Sequence, residues 1–254
     1  MRKSFLFLII VASGLILSSC LGDTSRHYTQ PLDYVYITNE GGLTYGRTLS
    51  NRLITSNEFL MMMPGTFQSM SYSYEEVNGV TPLQIGGQTF QLDNIDLNGT
   101  PVEIHKYGFS SMPYDLETSD EFLQIIPYAI DDPIYFNDHW FIEYVYAIKK
   151  GERVEDISFY INEESNSPIN EIIIDVMLEI SGTPDDPNAN ATNEVGVVAF
   201  NEVGVVALNM AQIRSQFEGT NDTNKKQLRI KFNYKKNASN NTTDQFYNLT
   251  VKGN

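Results

Sequence analysis

The sequence predicts an all-β protein, with a small OB-type barrel followed by a β-sandwich. Turn signals recur about every ten residues, and several segments alternate apolar and polar side chains, which is the period of a half-buried strand. One segment, 140–148, is apolar at nearly every position, as expected of a strand that is covered on both faces. The 254 residues leave room for two such domains.

The N-terminus predicts a bacterial lipoprotein. Arg2 and Lys3 precede an apolar run over 5–17, and small residues then lead to Cys20, the only cysteine of the chain. The run is too short for a membrane-spanning helix, which needs about 20 apolar residues. We therefore expect a signal peptide over 1–19, cleavage before Cys20 and acylation of its sulfur. The lipid on Cys20 is the predicted contact with the membrane.

The chain that remains after cleavage is strongly acidic. Loss of the two basic residues of the leader moves the formal charge from -15 to -17. Nucleic-acid binding depends on Lys and Arg that neutralise phosphates, and anionic lipid head groups attract basic segments. The composition therefore argues against a nucleic-acid partner and against any membrane contact other than the lipid anchor.

Residues 20–31 carry the lipidated cysteine and are predicted to form a flexible tether, because they are rich in Gly, Thr, Ser and charge. The first β domain is predicted over 32–107. Its opening strand ends at the hairpin turn Asn39-Glu40-Gly41-Gly42, and 51–63 is predicted to be extended. Its clearest strand alternates between two faces, with Met70, Tyr72 and Tyr74 on one and Ser69, Ser71 and Ser73 on the other.

Two features near the end of this domain predict its finer shape. The apolar alternation changes phase across Asp93-Asn94, which predicts a β-bulge. Asn98-Gly99 accepts the positive φ of a hairpin turn, and it predicts a turn into Val102 and Ile104. Five or six strands with a bulge suit a small closed barrel of the OB type, and a small sandwich is the alternative.

Residues 108–133 are predicted to link the two domains, because they hold three prolines and show weak periodicity. Within this linker, Thr118 and Glu121 are placed as a capping box for a short helix. The second domain is predicted over 134–254.

The second domain has the strongest strand patterns of the chain. β-branched residues dominate 168–181, where the apolar side chains share one face and Glu171, Asp175 and Glu179 are predicted to face solvent. The segment 228–235 alternates strictly, and a last strand follows at 246–251. Together with the segment 140–148 described above, these strands predict a two-layer β-sandwich.

An octapeptide is repeated inside this domain. Residues 193–200 recur as 201–208, with seven of eight positions identical. Two short copies are too few for a solenoid, so we interpret them as a local duplication. Since the second copy runs directly into the sequence that follows, 203–208 is predicted to form the native strand and 193–200 to be an insertion.

These features resemble the NigD-like lipoproteins of Bacteroidetes, which combine a lipobox, an N-terminal OB domain and a C-terminal β-sandwich. The resemblance is carried by the segment 136–146, the strand 172–179 and the segment 205–217. It implies an accessory lipoprotein without catalytic residues or a cofactor. It also implies an outer-membrane location, on the periplasmic or the cell-surface side.

Apart from lipidation at Cys20, the sequence predicts no catalytic residue, no metal ligand and no cofactor. It contains no nucleophile elbow, zinc-binding helix, phosphate loop or cysteine pair. The loop 185–190 begins like a calcium site, but the sixth and twelfth positions of the motif hold Ala191 and Val197 instead of Gly and Glu. A plain acidic loop and a weak calcium site both remain open. His105 is predicted to point outward beside Glu103.

Three functions of different class follow from the sequence. The favoured one is a non-catalytic envelope lipoprotein that binds a protein partner or assembles with it. The second is glycan binding, which would require exposed aromatic side chains on one face of a domain. The third, a hydrolase, would require two carboxylates that face each other across a cleft.

Overall fold

The structure is a computed structural model that describes residues 27–162, 170–183, 199–219, 221–237 and 245–253. Over these residues the chain is mostly β, with three sheets and one short α-helix, which confirms the predicted class. The strands are β1 (His27–Glu40), β2 (Leu43–Thr48), β3 (Leu53–Thr55), β4 (Phe67–Glu75), β5 (Val80–Ile85), β6 (Gln88–Asn94), β7 (Asp96–Leu97), β8 (Val102–Ile104), β9 (Lys106–Tyr107), β10 (Phe122–Tyr128), β11 (His139–Lys149), β12 (Glu152–Ile161), β13 (Glu171–Gly182), β14 (Ala199–Asn209), β15 (Asn221–Tyr234) and β16 (Phe246–Gly253). The helix, α1, spans Ala211–Phe217.

The chain divides into two compact units. Among the described residues, the first consists of 27–65 and 69–102, and the second consists of 66–68 and the residues from 103 onward. β1 begins at His27, so the end of the predicted tether lies in a strand.

The first unit is built on an eight-stranded sheet that curls into a half-barrel. Its strand order is β5-β6-β3-β2-β1-β4-β7, and β8 also pairs with β4. β1 and β2 form the predicted hairpin, in which Glu40 pairs with Leu43 and the intervening Gly41 and Gly42 have φ of 61° and 80°. Glycine adopts two consecutive positive φ angles at little cost, so this turn fixes the register. An OB barrel in the strict sense stays a prediction.

The core of the first unit follows the alternation seen in the sequence. Met70 and Tyr72 on β4 are buried, and they pack with Val35 and Ile37 of β1 and with Phe59. The serines between them are more exposed, so β4 has one core face and one wet face.

The structure corrects two predictions that follow β6. The alternation breaks at Asp93-Asn94 because β6 ends there and the chain continues as β7, which pairs with β4. The predicted bulge is therefore wrong, and the phase break marks a change of partner strand. The predicted hairpin at Asn98-Gly99 is also wrong, since β7 and β8 both pair with β4.

The second unit contains two four-stranded sheets, ordered β10-β11-β14-β9 and β12-β13-β15-β16. Both sheets contribute to one apolar core, with Trp140 and Ile142 from the first and Ile174 and Ile230 from the second. β11 lies between two partner strands and is buried on both faces at its start, as predicted, since Trp140, Phe141 and Ile142 are all fully buried.

The segment 108–133, which the sequence predicts as a linker, contributes β10 to the second unit, where it pairs with β11. The segment also holds a 3-10 helix at Leu116–Thr118. Its N-cap is Asp115, whose carboxylate accepts a hydrogen bond from the amide of Glu117 at 3.1 Å. Thr118 ends this helix, so the predicted capping box is wrong.

The second copy of the repeated octapeptide lies in β14, which pairs with β11 along its whole length. This confirms that 203–208 is a strand. The Ala199 and Phe200 that end the first copy also belong to β14, so an insertion can include at most 193–198, which lie outside the described residues. Opposite Tyr144 on β11 lies Gly204, and a Cβ there would overlap the tyrosine ring, 2.6 Å from its Cε2.

Candidate functional site

The connection between β3 and β4 contains a 3-10 helix, Asn57–Met61, where the sequence predicts an extended segment. Ser56 caps this helix, because its hydroxyl oxygen accepts a hydrogen bond from the amide of Glu58 at 3.4 Å. The same hydroxyl donates to the Glu58 carboxylate and lowers the pKa of that group. We call residues 57–65 the methionine loop.

Two side chains and two backbone hydrogen bonds hold the methionine loop in place. Phe59 is fully buried and Met62 is partly buried, and both pack in the core of the first unit. The amide of Met62 donates to the carbonyl of Phe59 at 3.1 Å, and the amide of Gly65 donates to the carbonyl of Ile37 at 2.7 Å. The loop therefore has a defined conformation fixed at both ends.

This fixed loop presents three large apolar side chains to solvent. Leu60 is 68% exposed, Met61 is 90% exposed and Met63 is 73% exposed. Single exposed apolar residues are ordinary on protein surfaces, but three large ones within four residues concentrate exposed apolar surface on one loop. A large exposed apolar surface is typical of sites that bind another molecule.

A polar cavity of about 390 Å³ adjoins the methionine loop, and Leu60 forms part of its lining. Its wall is fixed by hydrogen bonds between side chains and backbone. Thr81 donates to Asn94 at 2.6 Å, Asn94 donates to the carbonyl of Asn78 at 2.8 Å, and Asn78 donates to Asp96 at 2.9 Å. An apolar patch beside a rigid polar wall has the composition of a protein interface, which combines an apolar centre and a polar rim.

A second place of interest lies in the second unit, around two stacked tyrosines. The rings of Tyr114 and Tyr160 lie 4.1 Å apart, centroid to centroid, at an interplanar angle of 20°. Both line a cavity of about 670 Å³, together with Asn162, Asp175 and Gln212. Aromatic faces beside carboxylate and amide groups are chemically suited to a sugar, which offers apolar ring faces and hydroxyl groups.

Asp175 is the residue in this cavity that the sequence analysis places incorrectly. It is predicted to face solvent but is only 3% exposed. Its carboxylate accepts hydrogen bonds from Tyr114 at 2.5 Å, from Asn162 at 2.8 Å and from Asn233 at 2.7 Å. The donors come from three separate parts of the chain, so no local sequence pattern could have identified them.

The first unit also buries a carboxylate, that of Asp33. It accepts hydrogen bonds from the amides of Tyr34 and Leu49 and from the hydroxyls of Ser50 and Tyr72. Burial raises the pKa of Asp33, and this outweighs the hydrogen bonds, which lower it. Burial, followed by the charge of Asp33, also raises the pKa of Tyr72. These contacts give Asp33 a structural role in joining β1, β4 and the end of β2.

The other predicted site residues fall into two groups. Cys20 and the acidic loop 185–190 lie outside the described residues. His105 and Glu103 are both exposed, as predicted. In the part of the chain that the structure describes, no group of three or more His, Cys, Asp or Glu side chains is arranged to hold a metal. No helix within those same residues is long and apolar enough to cross a bilayer.

No protein-family model and no curated protein matches this sequence. Solved structures from Bacteroidetes match most of the chain. A Bacteroides vulgatus protein of unknown function has a TM-score of 0.50 at 10% identity, over 88% of this chain and 90% of that one. A candidate lipoprotein from Bacteroides fragilis has a TM-score of 0.48 at 12% identity, over 90% of this chain and 99% of that one. A NigD-like immunity protein from Bacteroides caccae has a TM-score of 0.44 at 10% identity, over 87% of this chain and 93% of that one.

These matches include a member of the family that the sequence resembles. At such low identities the likeness concerns the fold alone. The matched proteins include immunity-related and uncharacterised proteins, and no enzyme family is indicated.

Proposed function

We propose that this protein is a non-catalytic envelope lipoprotein that binds a protein partner through its methionine loop. The observation that carries the proposal is the exposure of Leu60, Met61 and Met63 on a loop whose neighbouring Phe59 is fully buried. The lipobox that ends at Cys20 supports the placement in the envelope, with the lipid as the membrane anchor.

The loop has the properties of a preorganised binding element. A flexible loop could turn apolar side chains inward, but Phe59 and the Gly65 amide fix this backbone. Burying a large apolar side chain stabilises by about 1.5 to 3 kcal/mol, so a partner that covers all three gains substantially. Because the backbone is already ordered, little of this gain is lost in ordering the loop.

The side chains also indicate the kind of partner. Methionine is flexible and polarisable, so Met61 and Met63 can adapt to an irregular apolar surface. Leu60 connects this patch to the cavity lined by Asn78 and Asn94, where amide groups offer both donors and acceptors. The partner surface is therefore expected to be apolar at its centre and polar at its edge, as in a folded protein.

The test is affinity capture from envelope extracts with the full-length protein in detergent, followed by reconstitution with the purified partner. The triple variant Leu60→Asp, Met61→Asp, Met63→Asp should weaken the reconstituted complex at least about 100-fold, since it places three charges in an apolar interface. Val102→Asp is the matched control, because Val102 is 65% exposed in the same unit. Equal affinity of the wild type and the triple variant would contradict the proposal.

Glycan binding is the second candidate, and the cavity beside Tyr114 and Tyr160 favours it. The test is a titration of the protein with cello-, chito- and manno-oligosaccharides, in which tyrosine fluorescence is the measured signal. Tyr160→Ala should abolish any fluorescence change, whereas Tyr28→Ala, which alters an exposed tyrosine of the first unit, should not. No response of the wild type to any of these sugars would count against this candidate.

A further inference from the structure

The strand β14 is paired along its whole length on one side, but only near one end on the other. On the first side it pairs with β11 without any register shift. On the second side, among the residues that the structure describes, the short β9 pairs with it at Ala207 and Leu208 only. Within that part of the chain, β14 therefore has an open edge before Ala207. We call residues 201–205 the β14 edge.

The hydrogen bond of Ala207 shows which backbone groups the β14 edge offers. The amide of Ala207 donates to the carbonyl of His105 at 2.9 Å, so this residue directs its backbone groups toward β9 and away from β11. In an antiparallel pair, successive residues of a strand direct these groups to alternate sides. Because the pairing with β11 has no shift, the amides and carbonyls of Asn201, Val203 and Val205 point to the open side. Such a row of donors and acceptors is a template for a further strand.

The side chains of the β14 edge are accessible as well. Asn201 and Glu202 are exposed, and Val203 is 63% exposed although it lies within a strand. Val203 lies opposite Val145 of β11, which is half-buried, so the two valines form an apolar strip at the margin of the sheet. A strand added at this edge would cover Val203 in addition to pairing with its backbone.

Two other edge strands of the second unit, β10 and β12, are protected where the β14 edge is not. A backbone bridge joins Phe122 of β10 to Lys236, and another joins Phe159 of β12 to Phe109. β10 also contains Pro127, which has no amide hydrogen to offer to a further strand. The β14 edge contains no Pro, Lys or Arg, which are residues that commonly prevent pairing at exposed edges.

We propose that the β14 edge pairs in antiparallel orientation with the β14 edge of a second copy of this protein. A two-fold axis brings the same surface of both copies together, so the edge must be complementary to itself. The chain is strongly acidic, but Glu202 is the only charged residue of the edge, and repulsion between more distant charges is screened beyond about 8 Å at physiological salt. The proposal does not depend on the methionine loop, because the β14 edge belongs to the second unit.

The sequence of the β14 edge is complementary to itself in one register. When Val203 of one copy lies opposite Val203 of the other, Asn201 lies opposite Val205. Glu202 then lies opposite Gly204, so the two carboxylates do not face each other, and the two exposed valines cover one another. A shift of two residues in one direction would place Glu202 opposite its counterpart, where like charges repel. A shift in the other direction would extend the pairing into residues that already bind β9.

The first test is sedimentation equilibrium of the full-length protein in density-matched detergent, with micelles in large excess over protein. The wild type should show a reversible monomer–dimer equilibrium. Val203→Lys should weaken the dimer at least about tenfold, because a lysine at an edge disfavours strand pairing. Met112→Lys is the matched control, since Met112 is 71% exposed in the same unit, and it should dimerise like the wild type. A wild type that stays monomeric up to about 1 mM, or a Val203→Lys variant that dimerises equally well, would overturn the proposal.

Cysteine cross-linking tests the register. In the proposed dimer the two Val203 residues form a directly opposed pair with their Cα atoms about 5.5 Å apart, which is within the range of a disulfide. Val203→Cys should therefore form a disulfide between the copies under mild oxidation with copper phenanthroline. Asn201→Cys should not, because its counterpart lies four residues further along the strand. Equal cross-linking of the two variants would overturn this register.

Hydrogen exchange of the backbone amides tests whether the second copy is the occupant. The amides of Val203 and Val205 should exchange slowly in the dimer and rapidly after dilution to the monomer, whereas the amide of Gly204, which points to β11, should be protected in both. Deletion of 193–198 should leave the dimer unchanged. Protection of Val203 that does not depend on protein concentration, or a dimer that forms only after this deletion, would show that the chain covers its own edge and would overturn the proposal.

Discussion

Asp33 shows how a single buried group makes stability depend on pH. Its carboxylate is 5% exposed, and burial raises its pKa above the unfolded value of about 3.9 despite the donors around it. An acid whose folded pKa is raised binds its proton more tightly in the folded state. Protonation therefore stabilises the fold. That contribution is fully present below the unfolded pKa and is lost as the pH rises through the folded pKa.

The first prediction compares the wild type with Asp33→Asn, which has no proton to lose. As the pH falls from 7 to 4, the free energy of unfolding of the wild type should rise relative to that of the variant. The measurement is urea denaturation at each pH, with Glu103→Asn as a control for an exposed carboxylate. A difference between wild type and Asp33→Asn that does not change with pH, or that changes in the other direction, would contradict the raised pKa.

Asp175 shows why sequence alone misses some buried polar residues. Its position in the alternation of β13 is correct, since it lies on the opposite face from Ile174 and Val176. That face is covered locally by Tyr114, which lies 61 residues earlier in the chain and donates to the carboxylate. A periodicity of two assigns a residue to a face of the sheet but does not reveal which loop covers that face.

At the scale of elements, β14 carries the clearest constraint. Gly204 lies under the ring of Tyr144 on the neighbouring strand, and a Cβ at this position would overlap the ring. A glycine is normally unfavourable in a strand, so its presence here is explained by the aromatic side chain that covers it.

The second prediction uses the duplication as its own control. Gly204→Ala should lower the free energy of unfolding by about 1 to 3 kcal/mol, because the methyl group forces Tyr144 out of its position. Gly196→Ala makes the same substitution in the same octapeptide and should leave stability nearly unchanged. Thermal and urea unfolding of the two variants measure the difference. Equal destabilisation would show that the first copy is packed as tightly as the second.

Elements with a strong local signal are the ones that the sequence predicts well. The turn at Gly41 and Gly42, the two buried faces of β11 and the alternation of β4 all depend on near neighbours in sequence. The change of partner after Asn94 depends on β4, which lies earlier in the chain. β10 pairs with the next strand, β11, but the prolines and weak periodicity of its segment predict a linker. The methionine loop is missed for a related reason, since nothing in its sequence shows that Phe59 is buried and Met61 is exposed.

At the scale of the whole molecule, the lipid at Cys20 is expected to decide where the protein is found. The third prediction is that Cys20→Ser abolishes acyl incorporation and moves the protein out of the membrane fraction. The acyl chains contribute about 0.8 kcal/mol per buried methylene, and the strongly acidic chain adds no attraction to anionic lipids. Metabolic labelling with a palmitate analogue and fractionation measure the two effects. A variant that stays acylated and membrane-bound would exclude Cys20 as the anchor.

The fourth prediction concerns the order in which the folded chain is cut. Limited proteolysis should cleave first within 108–119, 184–198 or the segment before β1, since the first has exposed residues such as Met112 and the others combine polar residues with weak periodicity. Mass spectrometry of the early fragments identifies the sites. Early cleavage inside β11, whose first residues are fully buried, would contradict the core assigned to the second unit.

The duplicated octapeptide means that either copy could in principle occupy the same place in β14. The two copies are eight residues apart, and eight is an even number, so a slide of one copy into the place of the other keeps every side chain on its original face. Gly196 would then lie under Tyr144 in place of Gly204, and Phe200 would replace Leu208. The surplus residues would move from before the strand to after it. That register would also place Thr192 opposite Ile148 in place of Phe200 and would separate β14 from α1, so these costs hold the chain in the register in which Gly204 lies opposite Tyr144.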